Sequence, residues 1–330
     1  LKGLRTHFPP FDLIERVIEA SDPAGIADLL RSSFFGAEMR ELLSEGGPDF
    51  SLSDFLEAMD RGTFRYRKRF AEIAMDTDSA TSEPLLMRWE VEEIKTLLRF
   101  IASPAPEARE KPLTFRSLIA KPDASFHAAP GRVREFLSAL RSAGHPAASF
   151  VDADLFLKDP ATAELGMERF FHERYIPEKR RLPPEIWEYL ADQCDTINLN
   201  VGALLRGAPG PEKDPLTYYI EGDGRVGTDD FLSVLRGLPE TPFRVAKMRL
   251  GIPFPEEWDY SPASFSSHLK RYLLRRYRLR NIAHPVSFWD FIVFMCEMDA
   301  TAANVKLAAS FALTGIPMEE KALCFVRAEL

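Results

Sequence analysis

Apolar residues recur along this chain at helical spacing. Phe11, Leu13, Ile14, Val17 and Ile18 form one stripe, and Ile26, Leu29 and Leu30 repeat it after a short break. Runs of β-branched residues that would suit strands are few, so the pattern predicts an almost wholly α-helical protein. Helix starts are expected at Ser53-Asp54 ahead of FLEAM, at Pro130-Gly131 ahead of RVREFLSALRSAG, and at Pro183-Pro184 ahead of EIWEYLADQ. Two proline-rich stretches read as joints, SPAPEAREKP with Pro104, Pro106 and Pro112, and GAPGPEKDP with Pro209, Pro211 and Pro215. They divide the chain into thirds, 1–104, 105–207 and 208–330.

Each third contains a similar helix-forming segment: EVEEIKTLLRFIA from Glu90, DTINLNVGALLRGA from Asp195, and TAANVKLAASFALTG from Thr301. With Glu93, Asn198 and Asn304 as anchors, the copies are spaced 105 and 106 residues apart. Upstream of each lies a second helical segment rich in aromatic and basic residues: FLEAMDRGTFRYRKRFAEIA, MERFFHERYIPEKRR and HLKRYLLRRYRLRNIA. The reading is a thrice-used helical unit, each too small to bury its own apolar face, packed into one body of pseudo-threefold character.

An acid and an Asn at i and i+3 share one helix face, and a buried Asn needs partners for both its amide N–H groups and its oxygen. Asp195, Asn198 and Asn304 are therefore expected to tie helices to neighbouring backbone, with Leu199, Leu204 and Leu205 facing the core. Arg99 and Arg206, close to helix C-termini, oppose the helix dipole favourably.

Composition narrows the function classes. In 330 residues the hydrophobic fraction is 45%, enough for a large core. The net charge of −8 argues against a general nucleic-acid binder. No run approaches the ~18–20 apolar residues of a membrane span, and LKGLRTHFPP does not read as a secretion signal. Cys194, Cys296 and Cys324 are isolated, which suits a reducing, cytoplasmic setting.

Chemical motifs are weak. Tyr219 to Asp230, YIEGDGRVGTDD, has the outline of an EF-hand loop with Gly224 at the turn. It lacks a carboxylate at its first position and the bidentate Glu at its last, so a glycine turn ahead of a helix capped by Thr228 or Asp229 is the preferred reading. There is no phosphate-binding Gly-x-x-x-x-Gly-Lys-Ser/Thr loop and no Gly-x-Ser-x-Gly elbow, and the six histidines are scattered. No catalytic residue, cofactor or metal is expected. The densest basic run, Lys270, Arg271, Arg275, Arg276, Arg278 and Arg280, is a candidate contact for an acidic partner, or else a solvated or internally paired helix face.

The repeated pattern of an acid, an Asn three residues on, an aliphatic and then a basic or polar residue resembles the signature helices of the C (or d) subunit of V-type and archaeal-type ATPases. The closing segment from Pro285 to Val326, including Gly315-Ile316-Pro317, is similar to that family's C-terminal segment, and Thr241-Pro242-Phe243 matches its Thr-Pro-Phe stretch. Thr301 and Lys306 stand where the family usually has an acid and an Arg, and Glu93 where it has Asn, marking a divergent member or paralogue. The resemblance implies a non-catalytic, funnel-shaped coupling subunit with a central cavity, receiving the rotor shaft and resting on the membrane ring. Its membrane association would be indirect. Two other classes remain: an unrelated helical scaffold, and an enzyme built on buried carboxylates, with Glu92-Glu93 or Asp229-Asp230 as candidates.

Overall fold

Short polar side chains and prolines decide where the helices begin. Ser51 Oγ accepts from Asp54 N at 3.1 Å while Asp54 Oδ2 accepts from Ser51 N at 3.1 Å, a reciprocal cap that starts the helix two residues before the expected Ser53. Asp22 Oδ1 takes Gly25 N at 2.7 Å ahead of Pro23, and Pro184 opens its helix at the first position, where a missing N–H costs nothing. The computed structural model describes residues 1–20, 22–46, 50–102, 113–119, 125–128, 131–175, 181–206, 214–254, 261–314 and 325–326. Most of both proline-rich joints, Pro130, Gly315-Ile316-Pro317 and Cys324 lie outside the described residues.

Apart from one two-stranded hairpin, the regular structure of the described residues is helical. In chain order the helices among the described residues are α1 (Lys2–Arg5), α2 (Phe11–Glu19), α3 (Pro23–Leu30), α4 (Gly36–Gly46), α5 (Leu52–Ala102), α6 (Val133–Ser142), α7 (Ala153–Lys158), α8 (Pro160–Tyr175), α9 (Pro184–Leu205), α10 (Thr228–Arg236), α11 (Thr241–Leu250), α12 (Pro262–Ala283) and α13 (Trp289–Thr314). Between α5 and α6 two short strands, β1 (Leu113–Arg116) and β2 (Ser125–Ala128), pair antiparallel with Phe115 opposite Phe126. The periodicity gives no sign of them, because four residues are too few to display alternation. Among the described residues no helix is long and apolar enough to cross a membrane.

The α5 helix is really two helices in series. At Asp78 the backbone turns extended (φ −162°, ψ 102°), and the Asp78 side chain caps the second half, with Oδ1 accepting from Thr81 N at 3.2 Å and Oδ2 from Thr81 Oγ1 at 2.5 Å. The chain's contacts group into two compact units that meet in sequence next to this break: Leu1–Asp76 with Ser267–Leu330, and Thr77–Ser266.

The first unit is built on aromatic packing. Phe8 lies 5.7 Å from Phe34 and 5.3 Å from Phe294, and Phe70 stacks on Phe294 at 5.1 Å. Burying each such ring stabilises by roughly 1.5–3 kcal/mol. In the second unit α9 packs against α10 and α7 against α8, with Phe136, Phe156, Phe171 and Phe231 fully buried. Leu199 is buried, but Leu204, expected in the core, is 66% exposed. Five residues advance a helix by about 500°, which turns Leu204 well away from Leu199, and the neighbouring Ala203 takes the inward position.

Candidate functional site

The α9 helix grips the chain beyond its C-terminus. Asn198 Nδ2 donates to Ile220 O at 2.9 Å and Ile220 N donates to Asn198 Oδ1 at 2.8 Å, so one side-chain amide brackets both backbone groups of a residue 22 positions on. One turn earlier, Asp195 accepts from Arg225 N at 3.0 Å and Val226 N at 2.8 Å. Gly224 is required by this approach: a Cβ there would lie 2.2 Å from Asp195 Oδ1. The glycine turn in YIEGDGRVGTDD is thus shaped by Asp195 from outside the loop. At its end Asp230 Oδ2 accepts from Gly227 N at 3.1 Å, so the cap on α10 comes from its third residue and not from Thr228 or Asp229.

In the other unit α13 makes the same arrangement. Asn304 Nδ2 donates to Val326 O at 3.0 Å and Val326 N donates to Asn304 Oδ1 at 2.9 Å, again 22 positions on. The residue before each bracket is aromatic, and in each case an Arg from the preceding aromatic-basic helix donates to its carbonyl. Arg169 Nη2 on α8 reaches Tyr219 O at 3.0 Å, and Arg271 Nη2 on α12 reaches Phe325 O at 2.9 Å. Thr301, in the position of Asp195, borders a cavity of about 400 Å³ with Arg5, Phe11, Glu297 and Asn304. Lys306 pairs with Asp60.

The first copy uses a carboxylate in a related way. Glu90, at the position of Asp195, is buried and accepts from Ser117 Oγ at 2.8 Å, Ile119 N at 2.9 Å and Leu118 N, while its other oxygen meets His145 Nε2. Ile119 is 29 residues beyond Glu90, against 30 and 31 for the two amides that Asp195 holds.

A buried charge cluster lies in the same unit. Glu168 on α8 receives both Arg88 and Lys95 from α5, and Lys95 Nζ also reaches Glu92 at 3.0 Å. Burial by itself would raise the Glu168 carboxyl, but the two cations overcome that and hold it down to about 2. His172, one turn on, is pushed down to about 3 by burial and then by Arg88; its Nε2 has no hydrogen-bond partner among the described residues. Burial raises the Cys194 thiol to about 12 and raises Asp195 too, against the two backbone N–H groups that favour its charged form. Sequence reasoning passed over this cluster, although Arg88, Glu92 and Lys95 stand at i, i+4 and i+7 on one helix face.

The paired acids are engaged as well: Glu92 with Arg88 and Lys95, Asp230 with Arg249 at 2.8 Å. The basic run on α12 is divided between inward and outward positions. Arg271 and Arg278 turn inward, the latter reaching Glu297 at 2.7 Å. The Arg276 guanidinium lies 5.8 Å from the Tyr277 ring, whereas Lys270, Arg275 and Arg280 are exposed. Exposed Leu279 and Ile282 continue the Arg275 face at i+4 and i+7.

These features define an all-helical protein organised around helices whose polar side chains hold the backbone beyond their own ends. The chain belongs to the ATP synthase (C/AC39) subunit family of V-type ATP synthases, whose sequence pattern matches residues 1–320. No curated protein matches it.

Proposed function

We propose that the chain is a non-catalytic coupling subunit of the central stalk of a rotary V-type or archaeal-type ATPase. In this role it seats the rotor shaft on the membrane ring and passes torque to ion transport. The family match through residues 1–320 carries the reading. The geometry supports it with a reason for stiffness. A coupler must neither slip nor fold back under load, and the Asn198 and Asn304 brackets each lock a connecting segment to a helix through two backbone hydrogen bonds. Asp195, Asn198 and Asn304 are structural ties on this account, not contacts to a ligand.

The proposal includes three helical units, 1–104, 105–207 and 208–330, arranged with pseudo-threefold character as a funnel whose cavity receives the shaft. Of the basic run on α12, Lys270, Arg275 and Arg280, being exposed, are the candidates to meet an acidic partner surface. Membrane association is through the ring, on the cytoplasmic side. The test is reconstitution. Membranes stripped of this chain should still hydrolyse ATP but build no ion gradient, and adding the chain back should restore the gradient and co-isolate the shaft subunit. A gradient that forms equally well without the chain, or a chain that never isolates with the shaft, overturns the proposal.

A further inference from the structure

The first unit contains a basin that neither the brackets nor the coupling role uses. It lies between the α3–α4 loop with the start of α4 and the first half of α5, has a volume of about 290 Å³, and is bordered by Arg31, Arg40, Arg65, Arg69, His7 and Tyr66. In a chain of net charge −8, four guanidinium groups around one concavity are a local reversal of sign.

The walls are fixed in place. Arg65 is held by Glu38 through two hydrogen bonds, Nε to Oε1 at 2.7 Å and Nη2 to Oε2 at 2.9 Å, and donates to Phe34 O at 2.7 Å. Tyr66 donates to Leu4 O at 3.1 Å, and Phe34 N to His7 O at 2.9 Å. Gly36 permits the loop to fold back on itself, since a Cβ there would lie 2.0 Å from Arg31 O. That fold sets Arg31 beside Gly36 and Ala37, the opening residues of the 11-residue α4, whose dipole adds positive potential at the basin edge.

Two of the charges are unspent. Arg40 and Arg69 are exposed and have no ion-pair partner among the described residues. Among the described residues Arg31 pairs only with Asp28, at 3.1 Å with both side chains more than half exposed, a contact too weak to commit it. With Arg65 neutralised by Glu38, the basin keeps a surplus of about two positive charges. Guanidinium forks converging from several directions suit a tetrahedral dianion better than a planar carboxylate. The volume suits a phosphate ester or a short polyphosphate, at the lower limit of small-ligand sites.

We propose that this basin binds a phosphate group, with Arg40, Arg69 and Arg31 as its principal contacts. The source is either a soluble phosphate compound or a phosphorylated lipid headgroup. Titration calorimetry on the full chain at about 0.15 M salt, with inorganic pyrophosphate and with ATP, tests the first. Flotation with phosphatidylcholine vesicles, with and without phosphatidylinositol phosphate, tests the second.

The expected result is binding of at least one probe, weakened about tenfold or more in the Arg40→Ala/Arg69→Ala double variant. Binding should be unchanged in Arg132→Ala/Arg134→Ala, which removes two exposed arginines elsewhere. Calorimetric binding alone assigns a soluble ligand, and flotation alone a lipid. Both basin arginines are exposed, so the double variant should melt as the wild type does; if it does not, the single Arg40→Gln variant should lower affinity severalfold at unchanged melting temperature. Absence of binding to every probe, binding indifferent to these substitutions, or an oligoglutamate peptide bound as tightly as pyrophosphate would overturn the proposal.

Discussion

The α9 and α13 helices perform one task with different completeness. Each has an Asn that brackets the residue 22 positions on, and each is preceded by a helix whose Arg holds the carbonyl one residue earlier. Among the described residues only α9 adds a second hold, Asp195 on the amides of Arg225 and Val226. In α13 that position is Thr301, and a cavity of about 400 Å³ lies beside it. The amide bracket is therefore the minimum device, sufficient to seat a return segment, while the carboxylate shapes the turn beyond it. Where Asp195 acts, the chain is forced through a turn that only Gly224 fits. The first copy makes the complementary choice: Glu90 keeps the carboxylate hold, and Glu93 replaces the Asn.

The sharpest contrast should be with pH. His172 is held at about 3 against an ordinary 6.5, so the unfolded chain binds its proton first, and this contribution to stability is lost as pH falls from 6.5 towards 3. Glu168, held at about 2, adds a loss from 4.5 downward. Asp195 opposes them near its own range: with its carboxyl raised, the folded state takes its proton more readily, and that gain is lost as pH rises through the folded value. His172 and Glu168 together outweigh it, and the unit should lose several kcal/mol, roughly, by pH 3. All three groups belong to the unit containing α9. Lowering the pH from 7 to 4 should speed hydrogen exchange, relative to the intrinsic rate, more at the amides of Ile220, Arg225 and Val226 than at that of Val326; equal acceleration would remove the distinction.

Substitution of Asp195 by Ala ranks next. It leaves the N–H groups of Arg225 and Val226 without their acceptor and opens a small void, costing about 3–4 kcal/mol in denaturant unfolding. Faster exchange should be confined at first to residues 222–230. A uniform rise across the unit would mean that Asp195 supports the whole body and not only the loop.

What the sequence made legible was local. The 3.6-residue period exposed the helices, and the spacing of three put Asp195 and Asn198 on one face. The partner was not legible, since nothing in a helix says that its amide will meet backbone 22 residues later, beyond a proline-rich joint. The Arg88, Lys95 and Glu168 cluster was hidden for the same reason: the anion comes from α8 and the cations from α5. The basic run on α12 raises a different point. Charge density along the chain does not tell which arginines turn inward, and Arg271 and Arg278 do. The unspent charges of Arg40 and Arg69 are 29 residues apart in sequence and share a basin only after folding.

The brackets themselves can be compared by removing each amide at nearly constant volume. Asn198→Leu strands both backbone groups of the buried Ile220, leaving its carbonyl only a weak 3.5 Å contact from the Cys194 thiol, and should cost about 2–3 kcal/mol. Asn304→Leu does the same to the less buried Val326, whose groups can turn to water, and should cost about 1 kcal/mol. Equal costs in parallel urea titrations would show the two sites to be energetically alike despite their different burial.

The smallest effect tests whether Thr301 is a defect that an acid would repair. Thr301→Asp restores the residue type found in α9, but it stands four residues after Glu297, which already holds Arg5 at 2.9 Å and Arg278 at 2.7 Å. Like charges one turn apart repel by a few tenths of a kcal/mol, and the backbone amides that Asp195 satisfies have no described counterpart beyond Val326. The substitution should therefore destabilise by roughly 0.5 kcal/mol or less. A gain of 1 kcal/mol or more would mean that an acid at position 301 finds a hydrogen-bond donor strong enough to outweigh its repulsion from Glu297.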